Sequence, residues 1–225
     1  MITSLINLFY PKVCAGCDAL LLEAENVICT RCRHELPFTY HFLLRQNDAL
    51  AKFYGKVPIE FAVAFLSYHK RGIAQEMIHK LKYKGRQEIG TILGNWFSPD
   101  LKSIFSDEVY QIIPVPLHKK RFRERGYNQI TTFAAALSEN LAIPVNDKLL
   151  FRTQYSKTQT KKNLLGRSEL ATNIFSVDFS QSISNYHYIL VDDVLTTGST
   201  LIACANELIK IPGTKISIVC IAMSQ

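Results

Sequence analysis

The sequence of 225 residues lacks any apolar run long enough to cross a membrane as a helix, which takes about 20 residues. Its first residues, MITSLINLFYPKVC, lack the basic stretch and the long apolar core of a secretory signal peptide. Internal repeats and low-complexity tracts do not occur either. These absences exclude helical membrane spans and a repeat architecture, and they lead us to expect a protein of the reducing cytoplasm.

Acidic residues are the scarcer charged class, with 19 Asp and Glu against 26 Lys and Arg and a formal net charge of +7. Hydrophobic residues make up 48% of the chain, as in ordinary globular proteins. The positive excess favours phosphate-bearing partners, although many basic proteins bind no particular anion. Charge alone therefore narrows the class of partner without identifying it.

Four of the six cysteines form two C-x-x-C pairs, CAGC and CTRC, which contain Cys14, Cys17, Cys29 and Cys32. Two such pairs close together suit a tetrahedral zinc site in which four thiolates leave no position open for catalysis. Disulfides would need an oxidising compartment, and a redox pair would need a thioredoxin-like setting. We therefore predict a structural Zn²⁺ in a ribbon of residues 1–36. Cys204 and Cys220 lie in apolar stretches and are expected to pack in the core.

Apolar runs typical of strands alternate with helical stripes along the rest of the chain. Strands are predicted at 61–68, 109–117, 173–177, 186–193 and 215–223. Between them, helices are predicted around 73–84, 89–97, 130–141 and 199–211, and the basic segment HKKRFRERGYNQ is expected to be a loop. The alternation predicts an α/β domain over 59–225, with a mostly parallel central sheet flanked by helices. Residues 37–58 are predicted to connect it to the ribbon.

The stretch YILVDDVLTTGSTL places two acids directly after a buried apolar run. Ligands of open α/β sheets bind beyond the carboxyl ends of the strands, where Asp192 and Asp193 are expected. Two adjacent carboxylates repel each other unless hydroxyl donors or a cation lie nearby. A sugar would supply two such hydroxyls, and Mg²⁺ would supply the cation. The hydroxyl-rich residues 196–200 lead into a helix start that suits a phosphate. An ordinary helix cap would need only one such residue. The pattern therefore indicates a ribose 5-phosphate group.

The segment ILVDDVLTTGST closely resembles the motif that binds phosphoribosyl pyrophosphate (PRPP) in type I phosphoribosyltransferases. The wider chain resembles the ComF family (ComFC/GntX-like proteins) in its CAGC and CTRC pairs, in LKYKGR and in IPVPLHKKRFRERGYNQ. The resemblance implies the type I phosphoribosyltransferase fold with an N-terminal Cys₄ zinc ribbon. It also implies that a catalytic pair, Asp192 and Asp193, holds the ribose hydroxyls together with Mg²⁺.

The same resemblance implies further site residues. The 5-phosphate would be held by Thr196, Thr197, Gly198, Ser199 and Thr200. Pyrophosphate would lie against residues 114–120, with Lys119 and Arg125 in the site, and residues 152–167 would correspond to a mobile lid. Cations next to aromatic rings also suit single-stranded DNA. The cations predicted to bind nucleic acid are Lys82, Lys84, Arg86, Lys120, Arg121 and Arg123. A pyrophosphate site or a solvated charged face would fit such clusters as well.

Two functional hypotheses follow. ComF-like proteins are associated with natural competence, so the first is a PRPP-binding protein of DNA uptake that contacts single-stranded DNA. The second is an active phosphoribosyltransferase of nucleotide salvage, whose acceptor the sequence does not identify. A weaker third option makes the zinc ribbon an adaptor for a partner protein, such as a helicase of the uptake machinery.

Overall fold

A four-stranded parallel sheet forms the centre of the computed structural model, which describes residues 11–106, 108–153 and 174–224. The strand order is β1–β6–β5–β2, with every pairing parallel. These strands are β1 (Ala62–Tyr68), β2 (Tyr110–Pro114), β5 (His187–Leu195) and β6 (Lys215–Ser224). A separate antiparallel pair is formed by β3 (Leu150–Arg152) and β4 (Phe175–Val177). The predicted α/β class with a mostly parallel central sheet is confirmed.

Seven α-helices are assigned in these residues: α1 (Thr30–His34), α2 (Asp48–Ala51), α3 (Ile73–Tyr83), α4 (Glu88–Lys102), α5 (Lys119–Arg125), α6 (Thr131–Leu141) and α7 (Ser199–Leu208). Short 3₁₀ turns occur at His41–Leu43 and Phe179–Gln181. None of these helices is both long and apolar enough to span a bilayer.

The central sheet is covered on both faces, and each face has its own hydrophobic core. One core packs Ile189 and Val191 of β5 with residues of α3, α4 and α6. The other packs Tyr188 and Leu190 of the same strand with residues of α2, α7 and the small sheet. Because successive side chains of a strand point to opposite faces, this alternation predicts where the next residues of β5 point.

Sequence features locate the helix ends. Ile73, Met77, Ile78 and Leu81 recur at helical spacing in α3, which stops before Gly85. Gly85 has φ of +68°, a left-handed conformation that is easy for glycine and ends a helix.

Helices α4 and α6 pack closely against each other at Gly94. A Cβ added at Gly94 would lie only 2.7 Å from the Ala136 Cβ.

The segment that we expected to be a basic loop is instead helix α5, so that prediction is wrong. His118 caps the helix by accepting a hydrogen bond at Nδ1 from the Lys120 N–H, at 3.1 Å. Gly126 ends the helix with φ of +78°. The intervening Lys, Arg and Glu residues are good helix formers, and their charge density does not oppose a short exposed helix. No residue of α5 is buried.

The segment before β1 contributes to the core. Leu50 and Phe53 are buried against the same face of the sheet as α7. The cysteine ribbon also contacts the main domain, since Cys14 and Cys32 lie in the same buried cluster as α3. The boundaries at residues 36 and 58 stay predictions.

Candidate functional site

The four ribbon cysteines converge, and their Sγ atoms all lie within 4.8 Å of one another. The Sγ atoms of Cys17 and Cys29 are 3.8 Å apart. A tetrahedron of thiolates at the usual zinc–sulfur bond length of about 2.3 Å has edges of about this size. Cys17 is exposed, whereas the other three cysteines are buried. The thiols therefore fit a Zn²⁺ ion as a complete set of ligands.

Backbone N–H groups favour negative charge on Cys14. Burial opposes ionisation of Cys14, but the N–H groups of Cys29 and Gly16 donate to its Sγ at 3.2 and 3.3 Å and lower its pKa to about 7. Gly16 also has to be small, because a Cβ there would lie 2.8 Å from Ile73 Cγ2. Backbone hydrogen bonds thus favour the thiolate of Cys14, and the ribbon fits closely against α3.

Strand β5 extends to Leu195, so Asp192 and Asp193 lie within it rather than beyond its end. They point to opposite faces of the sheet. Asp193 contacts residues of α3 and of the loop before α6. Asp192 lies on the side of α7, where burial and then the Asp192 carboxylate raise the pKa of Cys204. The structure therefore separates two acids that the sequence places side by side.

Asp193 is enclosed by partners. Lys82 Nζ lies 2.6 Å from Asp193 Oδ1, and the exposed fractions of the two side chains are 21% and 9%. Gln129 Nε2 donates to the other carboxylate oxygen. Both oxygens of Asp193 are therefore occupied, one by a cation and one by an amide.

Asp192 is only partly buried. Its Oδ1 accepts a hydrogen bond from the Asp193 N–H at 2.8 Å. No side chain in the described part of the chain donates to this carboxylate. Burial, together with the charge of Asp193, raises the pKa of Asp192 to about 7. Asp192 is therefore the acid of the pair that a ligand can reach.

The hydroxyl-rich loop follows on the same side of the sheet. Four of its residues are exposed: Thr196, Thr197, Ser199 and Thr200. Gly198 has φ of +79° and lies against Phe53, where an added Cβ would be 3.2 Å from Cε1. No side chain caps the first turn of α7, although the Ser199 N–H approaches Thr197 Oγ1 at 3.4 Å. Free N–H groups at a helix start bind anions, so this loop suits a phosphate.

A third element, a cavity of about 450 Å³, lies beside α5 and is rich in cations. Its lining consists of His118, Lys119, Lys120, Arg123, Glu124, Arg152 and Thr153. Burial lowers the pKa of Arg152, and the nearby Arg121 acts in the same direction. The Arg152 guanidinium lies 5.2 Å from the centroid of the Phe175 ring. The cavity therefore offers several positive groups to an anion.

The predicted cations occupy different environments. Lys84, Lys120, Arg121 and Arg123 are exposed, and Lys120 forms only a long ion pair of 3.9 Å with Glu124. Arg86 is engaged, since it contacts Glu88 and donates to the Val13 carbonyl at 3.3 Å. Lys82 contacts Asp193 instead of an open surface. Arg125 donates to Gln129 Oε1 at 2.6 Å. The roles of these residues in binding stay predictions.

Sequence reasoning did not assign two residues that the structure brings to the site. Arg152 was predicted only as the first residue of the mobile lid, and Lys82 was assigned to nucleic acid and not to Asp193. The segment LKYKGR at the end of α3 gave no signal for a partner so distant in sequence. Most of the predicted lid, residues 154–167, lies outside the described residues.

Comparison with known proteins identifies the relatives of the chain. Competence protein ComFC of Bacillus subtilis (strain 168) is 27% identical over 200 residues, which cover 88% of this chain and 78% of that protein. The chain is thus similar to a competence protein over most of its length. DNA utilization protein YhgH of Escherichia coli (strain K12) is 28% identical over 213 residues, 93% of this chain and 89% of that protein. Competence protein F of Haemophilus influenzae is 40% identical over 101 residues, which cover 44% of this chain and 42% of that protein. No protein-family model matches.

Phosphoribosyltransferases are among the solved structures that the chain resembles. A hypoxanthine phosphoribosyltransferase from Staphylococcus aureus matches with a TM-score of 0.38 and 16% identity, covering 60% of this chain and 62% of that one. An adenine phosphoribosyltransferase from Saccharomyces cerevisiae matches with a TM-score of 0.40 and 18% identity, covering 63% and 72%.

Proposed function

We propose that the protein binds PRPP at the end of β5 and acts in DNA uptake. The observation that carries the first part is the placement of one reachable carboxylate, Asp192, on the same side of the sheet as the exposed hydroxyls and the uncapped start of α7. The carboxylate accepts hydrogen bonds from ribose hydroxyls, while the loop donates to the 5-phosphate. The cations beside α5 would face the pyrophosphate group.

The oxygen donors of the site also fit Mg²⁺. This ion prefers oxygen ligands and is usually held by one or two carboxylates, by waters and by substrate phosphates. Asp192 supplies such a carboxylate, whereas both oxygens of Asp193 already have partners. When bound, Mg²⁺ would neutralise the phosphates of PRPP. The cysteine ribbon would hold Zn²⁺ as a structural ion.

Calorimetry with PRPP and Mg²⁺ tests the binding site. We expect wild-type protein to bind, and Asp192→Asn and Thr200→Val to weaken binding by about tenfold or more, since each removes a hydrogen bond to a charged ligand. Thr214→Val is the matched control, because Thr214 lies at the other end of the sheet and its buried hydroxyl has no hydrogen-bond partner. Absence of binding heat for the wild type would reject the PRPP site.

The role in DNA uptake is supported by the names of the relatives, two competence proteins and a DNA utilization protein. The exposed cations of α5 would contact single-stranded DNA in the cytoplasm, and a helicase of the uptake machinery would be the protein partner. Deletion of the gene should lower the yield of transformants from added DNA, and the intact gene should restore it. A deletion strain that takes up and incorporates DNA normally would exclude this role.

Transfer of the phosphoribosyl group to an acceptor is the second candidate. The cation-lined cavity beside α5 favours it, because such a cavity can hold the departing pyrophosphate. The reaction would break the bond from C1 of the ribose to pyrophosphate and form a bond from C1 to a nucleophilic nitrogen. Release of pyrophosphate from PRPP only when a particular base is present would establish the activity. If pyrophosphate is released from PRPP at the same rate with every base of a panel, binding of PRPP would be left as the function.

A further inference from the structure

Another cavity, of about 410 Å³, lies beside β1 at the edge of the central sheet. Aromatic rings line it from two places, the segment before β1 and helix α4: Phe38, Tyr40, Phe42, Trp96 and Phe97. It shares no lining residue with the cation-lined cavity beside α5 or with the hydroxyl-rich loop. Pockets for small ligands have volumes of about 300–1,000 Å³. This aromatic cavity is therefore a second site of suitable size, separate from the first.

The walls of the aromatic cavity are fixed by the fold. The Thr39 N–H donates to the Phe65 carbonyl of β1 at 3.1 Å. The Phe65 ring in turn stacks on Phe97 of α4, with 4.7 Å between the ring centroids. Tyr40 has φ of +55°, a left-handed conformation that bulky residues seldom adopt. Strained backbone of this kind is concentrated at sites that hold ligands. The cavity is thus formed before any ligand arrives.

One acid of the cavity has no partner. Asp100 lies one turn after Trp96 on α4 and is half-buried, and burial raises the pKa of its carboxyl group. In the part of the chain that the structure describes, no ion pair and no side-chain hydrogen bond reaches this carboxylate. An ionised carboxylate only accepts hydrogen bonds, and leaving it unpaired in an apolar wall is costly. Asp100 therefore favours a ligand with N–H or O–H donors.

A cation lies on the same wall. The Arg33 guanidinium lies 4.8 Å from the centroid of the Trp96 ring, and it is exposed to solvent. Among the described residues, Arg33 has no ion pair with an acid, in contrast to Arg31, which pairs with Glu35. A guanidinium at this place repels a cationic ligand and attracts an anionic group. The cavity thus suits a planar ring that carries hydrogen-bond donors and an attached anion.

Nucleotides have this combination, because their bases stack on aromatic side chains and their phosphates are negative. The carboxylate narrows the choice of base. Guanine offers two adjacent donors, N1–H and the N2 amino group, which one carboxylate can accept together. Adenine and cytosine have a single amino group beside an acceptor nitrogen, and thymine has one N–H between two carbonyls. Guanine is the base that best matches Asp100.

We propose that the aromatic cavity binds a nucleotide with a guanine base, which stacks among the rings, donates from N1–H and N2–H to the Asp100 carboxylate and places its phosphate against Arg33. The base comes either from a free nucleotide or from single-stranded DNA, which present the same chemistry. The inference goes beyond the PRPP site and does not rest on it.

The only tryptophan of the chain reports on this cavity, since Trp96 lines it. Titration with dGMP should quench the emission of Trp96, once absorption by the nucleotide is corrected with free tryptophan. Calorimetry should show dGMP bound at least about tenfold more tightly than dAMP, dCMP or dTMP, because two hydrogen bonds to a charged group are made only with guanine. Equal affinities for the four nucleotides, or no binding of dGMP, would overturn the proposal.

Asp100→Asn tests the acceptor. It should bind dGMP about tenfold more weakly and the other three nucleotides as the wild type does. Asp147→Asn is the matched control, because Asp147 is also an acid without an ion pair but is exposed beyond α6, near the opposite edge of the sheet. Both variants should fold, since neither acid has a partner to lose, and circular dichroism checks this. A preference for guanine that survives in Asp100→Asn would overturn the proposal.

Arg33→Gln tests the phosphate contact. It should weaken binding of dGMP several-fold and leave binding of deoxyguanosine, which has no phosphate, unchanged. An equal loss for both compounds would contradict the assignment of Arg33 to the phosphate.

Oligonucleotides distinguish the two sources of the base. A strand of dT with one internal dG should bind more tightly than dT alone if DNA enters the cavity, and Asp100→Asn should abolish that gain. A preference confined to dGMP would identify a free nucleotide as the ligand. If PRPP gives no binding heat while dGMP binds with this preference, the proposed PRPP site fails and the guanine site stands.

Discussion

Lys80 on α3 forms an ion pair with Asp18 in the cysteine ribbon, with 2.6 Å between Nζ and Oδ1. A second link joins Arg86, just after α3, to the Val13 carbonyl of the ribbon. The ribbon therefore contacts the helix whose end carries Lys82, the partner of Asp193. Lys80, Lys82 and Arg86 all lie at or just beyond the C-terminal end of this helix, so the ribbon and β5 contact the same end of it.

Removal of the metal should therefore destabilise the whole protein and not the ribbon alone. We expect about one zinc per chain in purified protein. A chelator, or Cys32→Ser, should remove the zinc, lower the melting temperature and weaken binding of ribose 5-phosphate. Metal analysis, thermal unfolding and calorimetry measure the three effects.

Cys204→Ala is the control, because Cys204 is buried in α7 away from the ribbon and its loss should leave the zinc content unchanged. Zinc-free protein with an unaltered melting temperature would show that the ribbon contributes nothing to the stability of the domain.

Gly198 should be required for both stability and ligand binding. Its left-handed conformation costs a non-glycine residue about 1–2 kcal/mol, and a Cβ there would also press on Phe53. Gly55→Ala is the matched control, since Gly55 also has a positive φ, of +69°, but nothing lies within 4 Å of the added Cβ. Chemical denaturation of both variants separates backbone strain from the contact with Phe53. Equal losses of stability and unchanged affinity would show that the contact is unimportant.

Much of the fold could be predicted from the periodicity of apolar residues. The runs at β1, β5 and β6 and the stripes of α3, α4, α6 and α7 occur close to the predicted positions, because burial against one sheet imposes those patterns. Helix α5 was missed because its seven residues, none of them buried, carry no apolar stripe. Its signals were local, a histidine cap and a terminal glycine, and the density of charge obscured them.

The site was predicted in part. The motif of acids, hydroxyls and glycine located the loop at the start of α7, because its chemistry is local in sequence. The separation of Asp192 from Asp193 follows from the alternation of side chains in a strand and could have been predicted. The contact between Lys82 and Asp193 could not, since it depends on how α3 packs against β5.

The pH dependence of stability should reveal the environment of Asp192. Burial and the charge of Asp193 raise its pKa to about 7 in the folded protein, whereas an unfolded chain ionises it near pH 4, about the ordinary value. Between these values the folded state keeps a proton that the unfolded state has lost, so the free energy of unfolding falls as the pH rises. Asp192→Asn cannot titrate. The free energy of unfolding of Asp192→Asn minus that of the wild type should therefore rise by about 1–3 kcal/mol from pH 4 to 7. Above pH 7 this difference should level off.

Urea denaturation of the two proteins across this range measures the difference. The comparison cancels other titrating groups, such as His187, whose pKa burial lowers. A difference that stays constant between pH 4 and 7 would mean that Asp192 ionises in the folded protein as it does in water.

Single-stranded DNA should bind through the exposed cations of α5. Lys120→Ala/Arg123→Ala should lower affinity at low salt and make the dependence on salt concentration shallower, because each lost phosphate contact removes a slope of about 0.7 for single strands. Neither side chain is committed elsewhere beyond the long ion pair of Lys120. Fluorescence anisotropy with a labelled oligonucleotide, measured over a range of salt concentrations, gives both the affinity and its dependence on salt.

Lys102→Ala/Lys148→Ala is the control, because it removes the same charge from two exposed positions outside the predicted surface. It should keep the wild-type dependence on salt concentration. Equal changes in slope for the two double variants would show that DNA responds to net charge and not to α5.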